Sequence, residues 1–283
     1  MLPDFAKMTT VEKPFPHLAA SDWLPADMYR TLSQKFPATA DVVGGDKWGS
    51  NERYDLTLPN ILKAGSKVCS EWQEFTRAMS SEEFFRSVYQ KFAARSDRLP
   101  LLERNKIDPM KLRVGRKGID TFDNVDVIID FNIAVNTPVT EAPSRARQVH
   151  IDKPSKFFAG LVYFRSPDDT SAGGGIGLYE FKDRPLLVDG NAYDSDVRVT
   201  RSLPYAANQM LIFHNGLDSL HGVEVREQTP HTRRFIYFSA GYRENLFDVD
   251  QVQISFLERQ KRKWLAPKGE EEIPTVRGFS NMS

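Results

Sequence analysis

The sequence predicts a mainly β protein, an antiparallel sandwich or barrel with flanking α-helices. Three observations carry this expectation. Between residues 111 and 242, short apolar runs of strand length are separated by loops rich in Pro, Gly, Asp and Asn. No helical segments alternate with these runs, which argues against a parallel sheet. Helical patterning is concentrated before about residue 105, where helices can cover one outer face of the strands.

The helices come first in the chain. Residues 26–36 lie between Pro25 and Pro37, and prolines suit helix boundaries. Residues 66–79 form a second expected helix. A third opens with Ser80 and Glu83, spaced as a capping box. It carries Phe85, Val88, Tyr89 and Phe92 at helical spacing, the pattern of a face packed on the core. The expected strands cover 125–134, 149–151, 157–164, 176–181, 197–201, 210–213, 222–226 and 234–239. A last helix is expected after Asp250, with Val252, Phe256 and Trp264 on one face. It contains the basic run 259–263, which reads as a solvated face. The expected organisation is one domain. Residues 1–105 form a mostly helical part packed on the core, 106–245 the β core, and 246–283 a terminal helix and tail.

Composition bounds the function. The 283 residues carry 38 basic and 38 acidic side chains, so no net field favours nucleic acid or an anionic membrane. Cys69 is the only cysteine, which excludes an internal disulfide and a thiolate-rich metal site. The amino-terminal stretch lacks the apolar run of a signal peptide, and no segment approaches the roughly 18 apolar residues of a membrane span. The expectation is a soluble, cytoplasmic protein.

The chemistry centres on QVHIDKPSK. In a strand, residues two apart share a face, so His150 and Asp152 present an imidazole and a carboxylate side by side. The candidates for a third ligand are His17, His214, His221 and His231. His221, in SLHGVEV at the start of a strand, is preferred, with His214 next. Two imidazoles and one carboxylate suit non-haem Fe(II) with coordination positions left open, whereas structural zinc favours a closed four-ligand site. Arg233 and Arg234 follow on the strand RRFIYFSAGY. Adjacent strand residues face opposite ways, so one of them points inward, where a planar guanidinium can bind a carboxylate through two parallel hydrogen bonds.

HID at 150–152, LHGV at 220–223 and RRF at 233–235 together resemble the Fe(II)- and 2-oxoglutarate-dependent dioxygenases, in particular the prolyl-4-hydroxylase-like branch. The resemblance spans roughly residues 124–242. It implies a double-stranded β-helix, the cupin-like jelly-roll, with iron held by His150, Asp152 and His221. It implies 2-oxoglutarate and O2 as co-substrates, with ascorbate as an accessory reductant. It also implies a basic residue gripping the far carboxylate of 2-oxoglutarate. In this branch an aromatic often follows that residue, which favours Arg234 over Arg233. The resemblance further suggests Tyr163, in LVYFRS, as a partner of the same carboxylate; ordinary core packing is the competing reading of that tyrosine. The glycines of SAGGGIGLYEF match a loop and strand of the branch and do not form a dinucleotide fingerprint.

The implied activity is hydroxylation of an unactivated C–H bond with release of succinate and CO2. Asp152 favours hydroxylation over halogenation, while desaturation and epimerisation use the same centre. The expected substrate is a small metabolite, sugar, amino acid or peptide. Lys153, Lys156 and Arg165 near the HID strand read first as solvated surface, with an anionic substrate as the competing reading, and the N-terminal helical region and the loop 183–197 read as a lid or substrate wall. Two other classes compete. One is a catalytically silent ligand-binding barrel, with His150 and Asp152 merely hydrogen-bonded and His221 a core histidine. The other is a zinc hydrolase on the same triad, with Glu180 or Glu224 as its base.

Overall fold

Ten strands order this computed structural model, which describes Phe5, residues 8–255 and Leu257. They are β1 (His17–Ala20), β2 (Arg53–Thr57), β3 (Val114–Arg116), β4 (Val127–Asn136), β5 (Lys156–Tyr163), β6 (Ile176–Phe181), β7 (Val197–Leu203), β8 (Met210–His214), β9 (His221–Val223) and β10 (Arg233–Tyr242). The major sheet runs β1-β8-β5-β10-β4-β2, with β3 beside β4, and the minor sheet runs β7-β6-β9. The segment around 144–150 continues the minor sheet, because Ser144 bridges Arg226 and His150 bridges His221. Numbering the eight core segments in chain order from β4, with 144–150 as the second, gives 1-8-3-6 in one sheet and 2-7-4-5 in the other. Each successive pair of segments crosses or turns back so that the two sheets wind together. The core is therefore a double-stranded β-helix, the jelly-roll expected above. Residues 149–151 are held by single bridges and not by a continuous ladder.

The two faces of the major sheet have opposite character. On β4, Val127, Ile129, Phe131, Ile133 and Val135 are buried in the outer core, together with Ile236, Phe238 and Ala240 of β10. This period of two is what burial of one sheet face produces. The outer core is closed by helices α1 (Ala26–Gln34), α2 (Thr39–Val43), α3 (Leu58–Lys63), α4 (Ser70–Met79), α5 (Glu82–Phe92) and α6 (Pro100–Arg104). From α5, Phe84 meets Phe238 with ring centroids 5.3 Å apart, and Phe85 meets Phe157 at the same separation. Trp72 of α4 lies 5.1 Å from Phe164. These aromatic contacts, each worth about 0.5–1.5 kcal/mol beyond burial, fasten the helical layer to the barrel.

The cap of α5 differs from the expectation by one residue. Ser81 Oγ accepts from Phe84 N at 3.1 Å, while Ser80 Oγ donates back to Thr76 O at 2.7 Å and finishes α4. Two adjacent serines thus serve two helix ends. The amino-terminal part also supplies strands as well as helices. The four residues HLAA and the five residues RYDLT form β1 and β2 at the two edges of the major sheet. Such short runs carry too little alternation to stand out. Val252 lies in a 3-10 turn, Asp250–Val252. Phe256, Trp264 and the basic run 259–263 of the expected last helix fall outside the described residues. No helix among the described residues is long and apolar enough to cross a membrane.

Candidate metal centre

His150 and His221 are neighbours because their segments are neighbours in the minor sheet. The two backbones exchange a pair of hydrogen bonds, His150 N to His221 O at 2.9 Å and His221 N to His150 O at 3.0 Å. Their ring centroids stand 4.3 Å apart. One ligand atom from each of His150, Asp152 and His221 lies within 4.8 Å of the others. No further His, Cys, Asp or Glu joins this cluster among the described residues.

The tautomers are set by the backbone. Nδ1 of His150 is 2.8 Å from Gln148 O, and Nδ1 of His221 is 2.9 Å from Ser219 O. A carbonyl only accepts, so each Nδ1 carries the proton and each Nε2 offers a lone pair. A backbone carbonyl behind a ligating histidine is the usual outer support of a metal site. Burial lowers the pKa of His150 well below its ordinary value, with His221 and Arg147 adding to the effect. Burial also lowers that of His221. Both rings are therefore neutral near pH 7, as metal binding requires. At Asp152, burial pushes the carboxyl up, but the positive charge of Lys156 beside it leads the opposing effects, and the net shift is downward, so the group is ionised. The donor set of two neutral imidazoles and one carboxylate, with no fourth ligand, fits an open Fe(II) site.

Lys156 faces this carboxylate because of a β-bulge. Ala240 opposes Phe158, but Gly241 opposes Lys156, so Phe157 is the extra residue. A bulge exchanges the faces of the residues beyond it. Phe157 and Phe158 both join the outer core, and Lys156 is turned inward. Its Nζ lies 3.2 Å from Asp152 Oδ1 and 2.5 Å from the hydroxyl of Tyr237. Of the other cations near the HID segment, Lys153 is exposed. Arg165 donates to the carbonyls of Asp169, Tyr205 and Ser171, which makes it a brace for the following loop.

Strand parity puts the two arginines on opposite faces of β10. Arg234 shares a face with Ile236 and Phe238, the outer one. It donates to Phe164 O at 2.9 Å and lies over the Phe36 ring. Arg233 shares the inner face with Phe235 and is 2% exposed. Its guanidinium donates to the Tyr163 hydroxyl at 2.7 Å, Asn136 Oδ1 at 2.9 Å and Gly174 O at 2.7 Å. The rings of Tyr163 and Phe235 stand 4.8 and 4.7 Å from it. Among the described residues no carboxylate pairs with Arg233. Tyr163 is thus both a buried core residue and a neighbour of that cation. The loop glycines make the arrangement possible. Gly173 has φ +76°, and a Cβ there would sit 1.8 Å from Val225 O. Only glycine fits that approach, which brings the adjacent Gly174 carbonyl onto Arg233.

The remaining histidines lie elsewhere. His17 accepts from Arg201 at 2.9 Å and contacts Phe15 O, and His231 lies in a loop. His214 stacks on Phe92, with centroids 5.1 Å apart and neither ring nitrogen hydrogen-bonded among the described residues. Burial, followed by Arg98 and Arg95, lowers its pKa to about 3. Below pH 6.5 the unfolded chain takes up a proton that folded His214 refuses. Its contribution to stability is complete above pH 6.5 and falls by about 1.4 kcal/mol per pH unit as the pH drops toward 3. His214→Phe removes that loss. The stability of the variant relative to the natural protein, measured by urea unfolding, should rise steadily between pH 6.5 and 4. A pH-independent difference would contradict this placement.

The loop 183–197 flanks the centre. Ile151 N donates to Gly190 O, and Ala192 N to Val149 O, each at 2.9 Å. The carboxylate of Asp194 pairs with Arg145 at 2.6 Å. Sequence reasoning missed Asn136, Tyr237, Arg53 and Arg147 near the site. The alternation of VIIDFNIAVN was the available signal for Asn136.

No family model matches the chain, and no curated protein matches it. Similar solved structures do exist. A prolyl-4-hydroxylase from Pseudomonas putida is 14% identical, over 85% of this chain and 96% of that one, with a TM-score of 0.40. A structure from Phytophthora capsici, titled for its prolyl 4-hydroxylases, is 14% identical over 88% of this chain and 65% of that one, at TM-score 0.45. A non-haem α-ketoglutarate-dependent carbocyclase from nogalamycin biosynthesis is 9% identical over 80% and 79%, at TM-score 0.41.

Proposed function

We propose that this protein is an Fe(II)- and 2-oxoglutarate-dependent oxygenase that hydroxylates a C–H bond of a small molecule or peptide. The observation that carries the reading is Arg233. A buried guanidinium is costly unless it is paired, and among the described residues this one meets only neutral acceptors inside the barrel that holds the triad. A dicarboxylate reaching from metal to Arg233 would supply the missing charge. In this reading His150, Asp152 and His221 hold the metal, and Arg233 binds the distal carboxylate in a two-pronged contact. The Tyr163 hydroxyl accepts from Arg233 and can donate its own proton to the same carboxylate. Ala159, Leu161, Leu178 and Phe213, all in the inner apolar cluster, exclude water between the two ends.

When bound, iron with O2 supplies the oxidation: 2-oxoglutarate gives succinate and CO2, and one oxygen atom enters the substrate. Lys156 fixes the carboxylate of Asp152, so the chain offers the metal a constant face. Among the described residues, the hydrolase reading finds no carboxylate base at the centre. Glu180 pairs with Arg198 and Glu224 with Ser202, and neither joins the triad. The test is aerobic incubation with Fe(II), 2-oxoglutarate and ascorbate. Succinate should form in wild-type protein and not in Asp152→Asn. Absence of succinate above the variant's background would count against an oxygenase.

A further inference from the structure

Position 136 stands between two arginines. In register on the inner face, Asn136 of β4 opposes Arg233 of β10 on one side and Arg53 of β2 on the other. Opposite charges are the stabilising cross-strand choice beside a cation, so electrostatics alone would favour an aspartate here. The chain carries the neutral amide of the same shape, fully buried.

The other buried arginines are treated differently. Among the described residues, Arg145, Arg226 and Arg233 are the buried ones. Arg145 pairs with Asp194 at 2.6 Å, and Arg226 pairs with Asp169 at 3.0 Å. A Cβ on Gly174 would lie 3.2 Å from Arg226 Cδ and 3.4 Å from Arg233 Cδ. The two side chains thus flank one glycine, yet only Arg226 meets a carboxylate. Arg233 receives the Asn136 amide, the Gly174 carbonyl and the Tyr163 hydroxyl. Burial raises the Tyr163 pKa above its ordinary value, against the pull of Arg233, so that hydroxyl keeps its proton.

The amide is held from behind. A guanidinium only donates, so Asn136 turns Oδ1 toward Arg233, and its Nδ2 faces Asn51 O at 3.5 Å. Asn51 is itself fixed. Its N donates to Pro138 O at 2.9 Å, and its Nδ2 to Ser144 Oγ at 3.0 Å. On Arg233, Nε serves Gly174, one terminal nitrogen serves Asn136 and the other serves Tyr163. One N–H on each terminal nitrogen is left over, which is what the two oxygens of a carboxylate require.

We propose that Asn136 is a specificity-determining residue for the co-substrate: it positions Arg233 without neutralising it, so the pocket selects a 2-oxo acid with a distal carboxylate. This rests on the oxygenase reading. The comparison ligand is 2-oxopentanoate, which has a methyl in place of the distal carboxylate of 2-oxoglutarate. Both chelate Fe(II) through the same keto-acid end, so anaerobic titration of the visible band measures each affinity. The natural protein should prefer 2-oxoglutarate. Asn136→Asp should weaken 2-oxoglutarate by more than about tenfold, because like charges then meet at Arg233, and leave 2-oxopentanoate nearly unchanged. Asn136→Ala leaves the charge free but releases the fork. It should weaken 2-oxoglutarate by about two- to tenfold, the worth of one hydrogen bond. Fe(II) uptake without keto acid draws on His150, Asp152 and His221, and it reports the folding of each variant. Equal loss of both keto acids in Asn136→Asp, or a loss no greater than in Asn136→Ala, would overturn the proposal. Unchanged 2-oxoglutarate binding in Asn136→Ala would do so even if Asn136→Asp does not fold. Natural protein that binds the two keto acids equally, or neither, sinks the cofactor reading and this proposal with it. A natural preference that Asn136→Asp leaves intact sinks the proposal alone.

Discussion

Arg233→Met should weaken 2-oxoglutarate binding by about 30- to 5,000-fold, while Arg234→Ala changes it by no more than about threefold. The range corresponds to the roughly 2–5 kcal/mol lost when one partner of a buried, hydrogen-bonded charge pair is removed. The contrast between adjacent residues is the informative part. Arg233 shares the inner face of β10 with Phe235 and Tyr237, and Arg234 shares the outer face with Ile236 and Phe238. Methionine roughly matches the length of arginine but leaves Asn136 Oδ1 and Gly174 O without their donor, so some stability is lost as well. Arg233→Lys keeps the charge but not the fork, and its affinity should fall between the two. Fe(II) binding in the absence of 2-oxoglutarate should be unchanged in all three variants, since Arg233 is not among the clustered donors. Titration of the co-substrate against each variant checks this. Equal losses at 233 and 234 would contradict the parity argument.

Asp152→Asn should reduce Fe(II) affinity by more than about 100-fold. Loss of an outer-shell partner already costs about 10- to 100-fold, and this change removes an anionic ligand outright. It should also destabilise the metal-free protein by about 3 kcal/mol, because it leaves the ammonium of Lys156 buried without its counter-charge. The two effects are separable. Adding Lys156→Met to Asp152→Asn should recover most of the stability and none of the metal affinity. Urea unfolding and metal titration on the single and double variants check both halves. Recovery of metal binding in the double variant would show that Asp152 matters only as the partner of Lys156.

Much of the site was legible because it depends on short-range rules. His150 and Asp152 are two apart, and HGV marks the start of the strand carrying His221. The antiparallel core followed from eight short runs bounded by turn residues. What sequence missed depends on pairing. The inward turn of Lys156 comes from one extra residue, Phe157, in the ladder with β10. Knowing which of Arg233 and Arg234 faces inward requires knowing which of Phe235 and Phe238 meets the helices, and the adjacent aromatic alone does not carry that information. Arg53 was hidden because RYDLT becomes a strand only by docking on β4. Ser80 and Ser81 are both capable caps, and the end of α4 decided between them.

The central claim is that the triad and Arg233 together hold iron and 2-oxoglutarate. Anaerobic titration of the metal-free protein with Fe(II) and then 2-oxoglutarate tests it most directly, through the weak visible charge-transfer absorption of a chelated keto acid. The account predicts a band that saturates at one equivalent of each, is lost in Asp152→Asn, and needs far more 2-oxoglutarate in Arg233→Met. A folded wild-type protein that binds Fe(II) yet shows no band at any 2-oxoglutarate concentration would contradict it.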